Sequence, residues 1–138
     1  MTKIDHLGIA VKSIASARGF YEALGLRIDH EETVEHEKVR VAMIPVDESR
    51  IELMEPLIED SAVGKFLAKR GEGLHHVALQ VDDIAAAMQD LKAKGARLIS
   101  EKVQVGAGGH LYFFVHPQSA GGVLLEICQD PAESKKQD

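Results

Sequence analysis

The chain has 138 residues, with 22 acidic and 16 basic side chains and a formal net charge of −6. An acidic chain with 4% aromatic residues disfavours nucleic-acid binding, and no apolar run approaches the roughly 20 residues of a membrane helix. A composition of 45% hydrophobic and 28% charged residues is typical of a soluble globular protein, and we expect one domain over residues 1–138.

The first part of the chain predicts a β-α-β-β-β unit. Residues 4–11 alternate between apolar and small or polar side chains, as a strand does. Ser13 can cap a helix whose apolar residues are spaced three, four and three apart, and Gly25 can end it. Strands are then predicted for residues 26–33, 38–46 and 49–55, with a hairpin turn at residues 47–49.

The remaining elements repeat this order after a connector. The connector, residues 57–73, contains one short helix near residues 61–70 that Gly71 closes. Residues 74–81 predict a strand, and Asp83 caps a helix that Gly95 ends. Further strands are predicted near residues 96–103, 110–116 and 122–129, followed by a polar tail from Pro131 that we expect to fray.

An internal repeat relates the two parts. A shift of 70 aligns residues 4–28 with residues 74–98 without a gap, and the matches include His6 with His76. A shift of 74 aligns residues 51–53 with residues 125–127, and both segments consist of a Glu between two aliphatic residues. The chain therefore predicts two βαβββ modules, about residues 1–56 and 74–130, and an α+β fold class.

Four strands of this repeat each present one side chain that can bind a metal. Alternation places His6, Glu52, His76 and Glu126 on the strand faces that point away from the helices. A single strand His or Glu is more often an ordinary core or surface residue, but the four occupy related positions in the repeat. Two imidazoles and two carboxylates suit Co²⁺, Mn²⁺, Fe²⁺, Ni²⁺ or Zn²⁺, so we predict a shared site for one divalent ion.

With these residues and several motifs, the chain resembles the vicinal oxygen chelate (glyoxalase-like) superfamily and, within it, the methylmalonyl-CoA epimerases. The opening motif at residues 4–11 is shared widely in the superfamily. The motifs that point to the epimerase branch lie at residues 51–56, 60–67, 71–78, 81–84, 106–109, 116–117 and 121–126. The resemblance covers about residues 3–130.

The resemblance implies a fold, an activity and partners. The fold would be two tandem βαβββ modules that form a curved mixed sheet around a metal-binding cleft. The activity would be the interconversion of (2R)- and (2S)-methylmalonyl-CoA in propionate metabolism, by C2 proton abstraction through a metal-chelated enediolate. It implies an acyl-CoA thioester substrate, a homodimer, no nucleic-acid or membrane partner, and Co²⁺ as first candidate metal, ahead of Mn²⁺, Zn²⁺, Ni²⁺ or Fe²⁺.

The resemblance also implies residue roles. His6, His76 and Glu126 match metal ligands of the family, and Glu126 also matches one proton-transfer group. Glu52 stands where some members have a Gln ligand, while the position of the second base aligns with Val41. Two interpretations of Glu52 stay open: a loosely held fourth ligand that swings off the metal, or the second catalytic base itself. The implied substrate contacts are Gly106, Ala107, Gly108, Gly109, His116 and Lys65.

Two other functions are compatible with these residues. A lactoylglutathione lyase, or another metal-dependent isomerase of thioesters, would keep the same fold and ligands, because loops determine the substrate. A non-catalytic binder of small molecules would also keep the fold, although such proteins often lack the full ligand set. The only cysteine, Cys128, cannot form an internal disulfide, so we expect a reducing compartment: the cytoplasm, or the mitochondrial matrix of a eukaryote.

Overall fold

The computed structural model describes residues 2–131, and the predicted tail after Pro131 lies outside the described residues. The chain divides into two compact units. The first unit consists of residues 6–75, and the second unit combines the residues up to Asp5 with those from His76 onward. Among the described residues, no helix is both long enough and apolar enough to cross a membrane.

The first unit is a four-stranded mixed sheet with two helices. Its strands lie in the order β2-β3-β4-β1, where β1 pairs with β4 in parallel and the other pairs are antiparallel. The elements are β1 (Lys3–Ala10), α1 (Ile14–Ala23), β2 (His30–Val34), β3 (Val39–Val46), β4 (Ser49–Pro56) and α2 (Ala62–Arg70). The first three residues of β1 belong to the second unit. A single turn of 3-10 helix, Glu35–Glu37, joins β2 to β3.

The second unit has the same order of elements. Its strands lie in the order β5-β8-β7-β6, with β5 and β8 parallel and the others antiparallel. The elements are β5 (Gly73–Gln80), α3 (Ile84–Ala93), β6 (Gln104–Val105), β7 (Leu111–Val115) and β8 (Leu125–Gln129). The predicted α+β class and the doubled βαβββ order are confirmed, whereas the organisation as one domain stays a prediction.

The first helix of each unit begins and ends as the sequence predicts. Ser13 Oγ accepts a hydrogen bond of 3.2 Å, and Asp83 Oδ1 one of 3.0 Å, from the backbone N–H three residues on. Gly25 and Gly95 follow the helix ends with φ of 90° and 83°, a left-handed conformation that favours glycine. The helices are therefore fixed at both ends by local sequence.

A second contact ties each of these helices to a strand. Glu55 Oε1, on β4, accepts a hydrogen bond of 2.8 Å from the backbone N–H of Ile14. Gln129 Oε1, on β8, accepts a hydrogen bond of 2.8 Å from the backbone N–H of Ile84. The first N–H groups of a helix have no partner within the helix, so these side chains satisfy them. No local pattern signals this role, because 41 and 45 positions separate the two partners.

The helices cover one face of each sheet. In the first unit the core lies between α1 and the sheet and is built from Val11, Ile14, Ala42, Ile44 and Leu53. In the second unit the corresponding core is built from Ile84, Met88, Phe113, Val115 and Ile127. Because neighbouring strand residues face opposite ways, burying Leu53 and Ile127 under the helices turns Glu52 and Glu126 to the other face.

Two predicted strands are wrong in extent. Residues 26–33 form a strand only from His30, because Leu26 and Ile28 serve as loop residues that pack against the first core. Residues 96–103 contain only an isolated bridge at Leu98. Ser100 Oγ bonds both the N–H and the carbonyl of Lys102, and this local turn ends the strand before the short β6.

Candidate active site

The first unit holds a buried His–Glu pair. Nε2 of His6, on β1, lies 3.4 Å from Oε1 of Glu52, on β4. Both residues are buried, with 3% and 7% of their surface exposed. The parallel register places Gly8 opposite Glu52, so no side chain on β1 stands between this carboxylate and His6 two residues earlier.

The second unit holds an equivalent pair. Nε2 of His76, on β5, lies 3.0 Å from Oε1 of Glu126, on β8, and both residues are buried. The parallel register places Ala78 opposite Glu126, which matches Gly8 opposite Glu52 in the first unit. The Phe114 and His76 rings pack in a T-shaped arrangement, with centroids 5.4 Å apart and planes at 87°.

These pairs fit the chemistry of both metal binding and proton transfer. A buried carboxylate is costly unless a hydrogen bond or an opposite charge compensates it, and an imidazole supplies that here. Each pair offers one imidazole nitrogen and one carboxylate oxygen, the mixed donor set that divalent transition metals accept. A carboxylate can also take a proton and return it.

In the first unit, the strand next to Glu52 carries no proton-transfer group, because Val41 occupies the position where that base is expected. Val41 is 1% exposed and lies opposite Met54 in the β3–β4 ladder, while Met43 lies opposite Glu52. Because Val39, Val41 and Met43 share one face of β3, the strand presents only apolar side chains beside Glu52. Of Glu52 and the β3 side chains beside it, only Glu52 can take up and release a proton.

The predicted glycine loop is partly closed on itself. The N–H of Gly106 donates to His110 O at 2.8 Å, and the N–H of Gly109 donates to Gly106 O at 3.1 Å. A Cβ at Gly106 would lie 3.0 Å from the Tyr112 ring, so a larger residue there would have to displace the ring by a few tenths of an ångström. Gly108 has φ of 68° within the 3-10 turn Ala107–Gly109. In this conformation the Gly106 and Gly109 amides are engaged within the loop.

The other two predicted substrate contacts lie in different surroundings. His116 Nδ1 accepts a hydrogen bond of 3.0 Å from the Gln118 N–H and caps the short 3-10 turn that follows β7. Lys65, on α2, is largely exposed, and its Nζ lies 3.3 Å from Asp60 Oδ1. His116 thus has a local structural role, while Lys65 is an exposed cation whose surface ion pair with Asp60 contributes little to stability.

The structure also brings together residues that the sequence analysis did not single out as a site. Asp5 is buried and accepts a hydrogen bond of 2.9 Å from Gln80 Nε2 through Oδ1. Asp5 Oδ2 lies 3.3 Å from His110 Nε2. No local motif signals this contact, because 105 positions separate Asp5 from His110.

Comparison with known proteins agrees with this fold. Residues 5–114 match the model of the Glyoxalase/Bleomycin resistance protein/Dioxygenase superfamily. The chain is 44% identical to the uncharacterized protein YqjC of Bacillus subtilis, with 94% of this chain and 93% of that protein covered. It is 35% identical to an ethylmalonyl-CoA/methylmalonyl-CoA epimerase of Cereibacter sphaeroides, with 92% and 97% covered.

A solved structure is similar at the level of the backbone. This structure, a methylmalonyl-CoA epimerase in complex with methylmalonyl-CoA and NH4+, matches with a TM-score of 0.92 and 39% sequence identity, covering 96% of each chain. The resemblance seen in the sequence motifs is confirmed. The chain belongs to the methylmalonyl-CoA epimerase family of the glyoxalase superfamily.

Proposed function

We propose that this protein interconverts (2R)- and (2S)-methylmalonyl-CoA by moving the proton on C2. The observation that carries the proposal is the repeated His–Glu pair, His6 with Glu52 and His76 with Glu126, buried at equivalent registers in the two units. Inverting a carbon centre requires proton transfer on two opposite faces, and the repeat supplies two equivalent carboxylates. Membership of the epimerase family supports this assignment of substrate.

The same four side chains are the proposed ligands of one divalent metal ion, with Co²⁺ as first candidate. Two imidazole nitrogens and two carboxylate oxygens would leave open positions on a six-coordinate ion. When bound, such an ion supplies positive charge that stabilises negative charge on the substrate oxygens and so acidifies the C2–H bond. Because all four residues are buried, bulk water does not compete with the metal for their ligand atoms.

Glu52 and Glu126 are the proposed proton-transfer residues. One carboxylate enters the cycle ionised and removes the C2 proton, and the other enters as the acid and delivers a proton to the opposite face of the same carbon. After one turnover the two have exchanged protonation states, so the reverse reaction starts from the resulting form. Val41 cannot take part, which leaves Glu52 as the base of the first unit.

Groups around the pairs are proposed to hold the rest of the substrate. Coenzyme A is strongly anionic and so is this chain, so local cations must offset the repulsion. Lys65 is exposed and can exchange Asp60 for a phosphate. The loop of Gly106, Ala107, Gly108 and Gly109, with His116 after β7, is proposed to contact the acyl portion. We further propose a homodimer that works in the cytoplasm.

Deuterium exchange at C2 of methylmalonyl-CoA tests the proposal. The protein is stripped of metal, reloaded with Co²⁺ in D₂O and followed by proton NMR, with bound metal quantified in each sample. We expect metal-dependent loss of the C2 proton signal. In Glu126→Ala, exchange of the enantiomer whose proton Glu126 removes should be about 10²–10⁴-fold slower, the usual contribution of a general acid or base. Exchange no faster than in the stripped protein would overturn the epimerase assignment and favour a lyase of the same fold.

A further inference from the structure

We propose that Asp5, His110 and Cys128 form a second metal site, separate from the two His–Glu pairs and suited to Zn²⁺. All three residues lie in the second unit. One ligand atom from each, a carboxylate oxygen, an imidazole nitrogen and Sγ, lies within 4.8 Å of the other two. Asp5 Oδ2 and His110 Nε2 are already 3.3 Å apart.

The spacing is close to that of a tetrahedral zinc site. Zinc binds sulfur at about 2.3 Å and nitrogen or oxygen at about 2.0–2.2 Å, so two ligand atoms of one ion lie roughly 3.3–3.7 Å apart. The Asp5–His110 distance is in this range, and the Cys128 sulfur, which lies within 4.8 Å of both ligand atoms, has to approach by at most about 1.3 Å to join them. A water molecule would complete the coordination.

The charges of the three ligands balance the ion. A carboxylate and a thiolate together carry two negative charges, which neutralise Zn²⁺, and the imidazole binds as a neutral ligand. Neutrality matters because Asp5 and Cys128 are 3% and 0% exposed, and a buried charge without compensation is strongly unfavourable. His110 is partly exposed, which gives an ion a route into the cluster.

Surrounding contacts hold the ligands in place. Gln80 Nε2 donates to Asp5 Oδ1 at 2.9 Å and to Asp130 Oδ1 at 3.1 Å, which leaves Asp5 Oδ2 directed at His110. The β5–β8 register places Gln80 opposite Cys128. Such second contacts orient metal ligands and raise their affinity.

The cluster is distinct from the pair on the same strand. Cys128 lies two residues beyond Glu126 on β8, about 7 Å along the strand. Its sulfur is a soft ligand that prefers zinc or copper(I), whereas the His–Glu pairs offer only nitrogen and oxygen. A bound ion would tie the start of β1 to β8 and to the residue before β7.

Cobalt substitution tests this site through its thiolate. The metal-stripped protein is titrated with Co²⁺, and thiolate ligation is detected by its intense near-ultraviolet charge-transfer absorption. Because Cys128 is the only cysteine, such a band can come from no other residue. We expect the band in the unmodified protein, its loss when Zn²⁺ is added, and one metal ion fewer per chain in Cys128→Ser.

A second variant guards against a folding defect at the buried cysteine. His110→Ala changes a partly exposed residue and should also lose the band and one metal ion, with an unchanged circular dichroism spectrum. His36→Ala, which alters an exposed histidine paired with Glu37, serves as the matched control and should keep both. No thiolate band in the unmodified protein, or an unchanged band in His110→Ala, would overturn the proposal. Neither readout depends on the proposed epimerase activity.

Discussion

The two units differ in how strictly they keep the repeat. The helix caps, the glycines after the helices, the His–Glu pairs and the registers opposite each Glu are repeated. The strand that follows the first helix is not: β2 has five residues, whereas β6 has two and leads into the glycine loop. The parts that place the pairs are preserved, while the outermost strand of each sheet diverges.

This difference indicates where structural constraint is concentrated. A side chain on a central strand is fixed by the register on both sides and by the core beneath it, so few changes leave its position intact. An outermost strand has one neighbour and can shorten or turn into a loop. The second unit uses that freedom to form the loop at residues 106–109. Equivalent substitutions in the two units therefore test whether matched residues contribute equally to the free energy of unfolding.

The largest effect on stability is expected at the matched core residues. Leu53→Ala and Ile127→Ala each remove a buried aliphatic side chain next to the proposed catalytic Glu of its unit, and each should lower the free energy of unfolding by about 2–5 kcal/mol. Urea denaturation followed by circular dichroism measures the change. Leu24→Ala, at a residue 65% exposed, is the control and should change stability little. A large effect in one unit only would show that the cores are not equivalent.

Removing the helix caps should have a smaller and more equal effect. Ser13→Ala and Asp83→Ala each delete the side-chain acceptor for a backbone N–H, at a cost of about 1 kcal/mol. Ser13→Asp and Asp83→Ser exchange the two caps and should retain most of the stability. Thermal denaturation of the four variants measures this. Exchanged caps that are as destabilising as alanine would contradict the capping role.

The smallest effect on stability is expected from the charge of the strand side chain that accepts a hydrogen bond from the first N–H of each helix. Glu55→Gln should lower stability by about 0.3–1 kcal/mol, because a carboxylate interacts favourably with a helix N-terminus. Gln129→Glu should raise it by a similar amount. Denaturation at low and high salt should show both effects shrinking with ionic strength. Changes of the same sign in both variants would contradict this electrostatic difference.

Much of the fold follows from local sequence, and some of it does not. Ser13 and Asp83 signal helix starts because capping requires only a few adjacent residues. Leu26 and Ile28 predict a strand because they alternate, yet core packing uses them as loop residues. Strand alternation assigns Glu52 and Glu126 to the correct faces, but the contact between Asp5 and His110 depends on tertiary structure, which no local pattern encodes.

In the proposed function, Glu52 and Glu126 serve opposite faces of one carbon. We would measure C2 exchange in D₂O separately for (2R)- and (2S)-methylmalonyl-CoA, with Glu52→Gln and Glu126→Gln and with bound metal quantified in each. We expect that each variant exchanges one enantiomer without inverting it and leaves the other unlabelled, and that the two variants have opposite preferences. Exchange of both enantiomers by either variant, or the same preference in both, would contradict it.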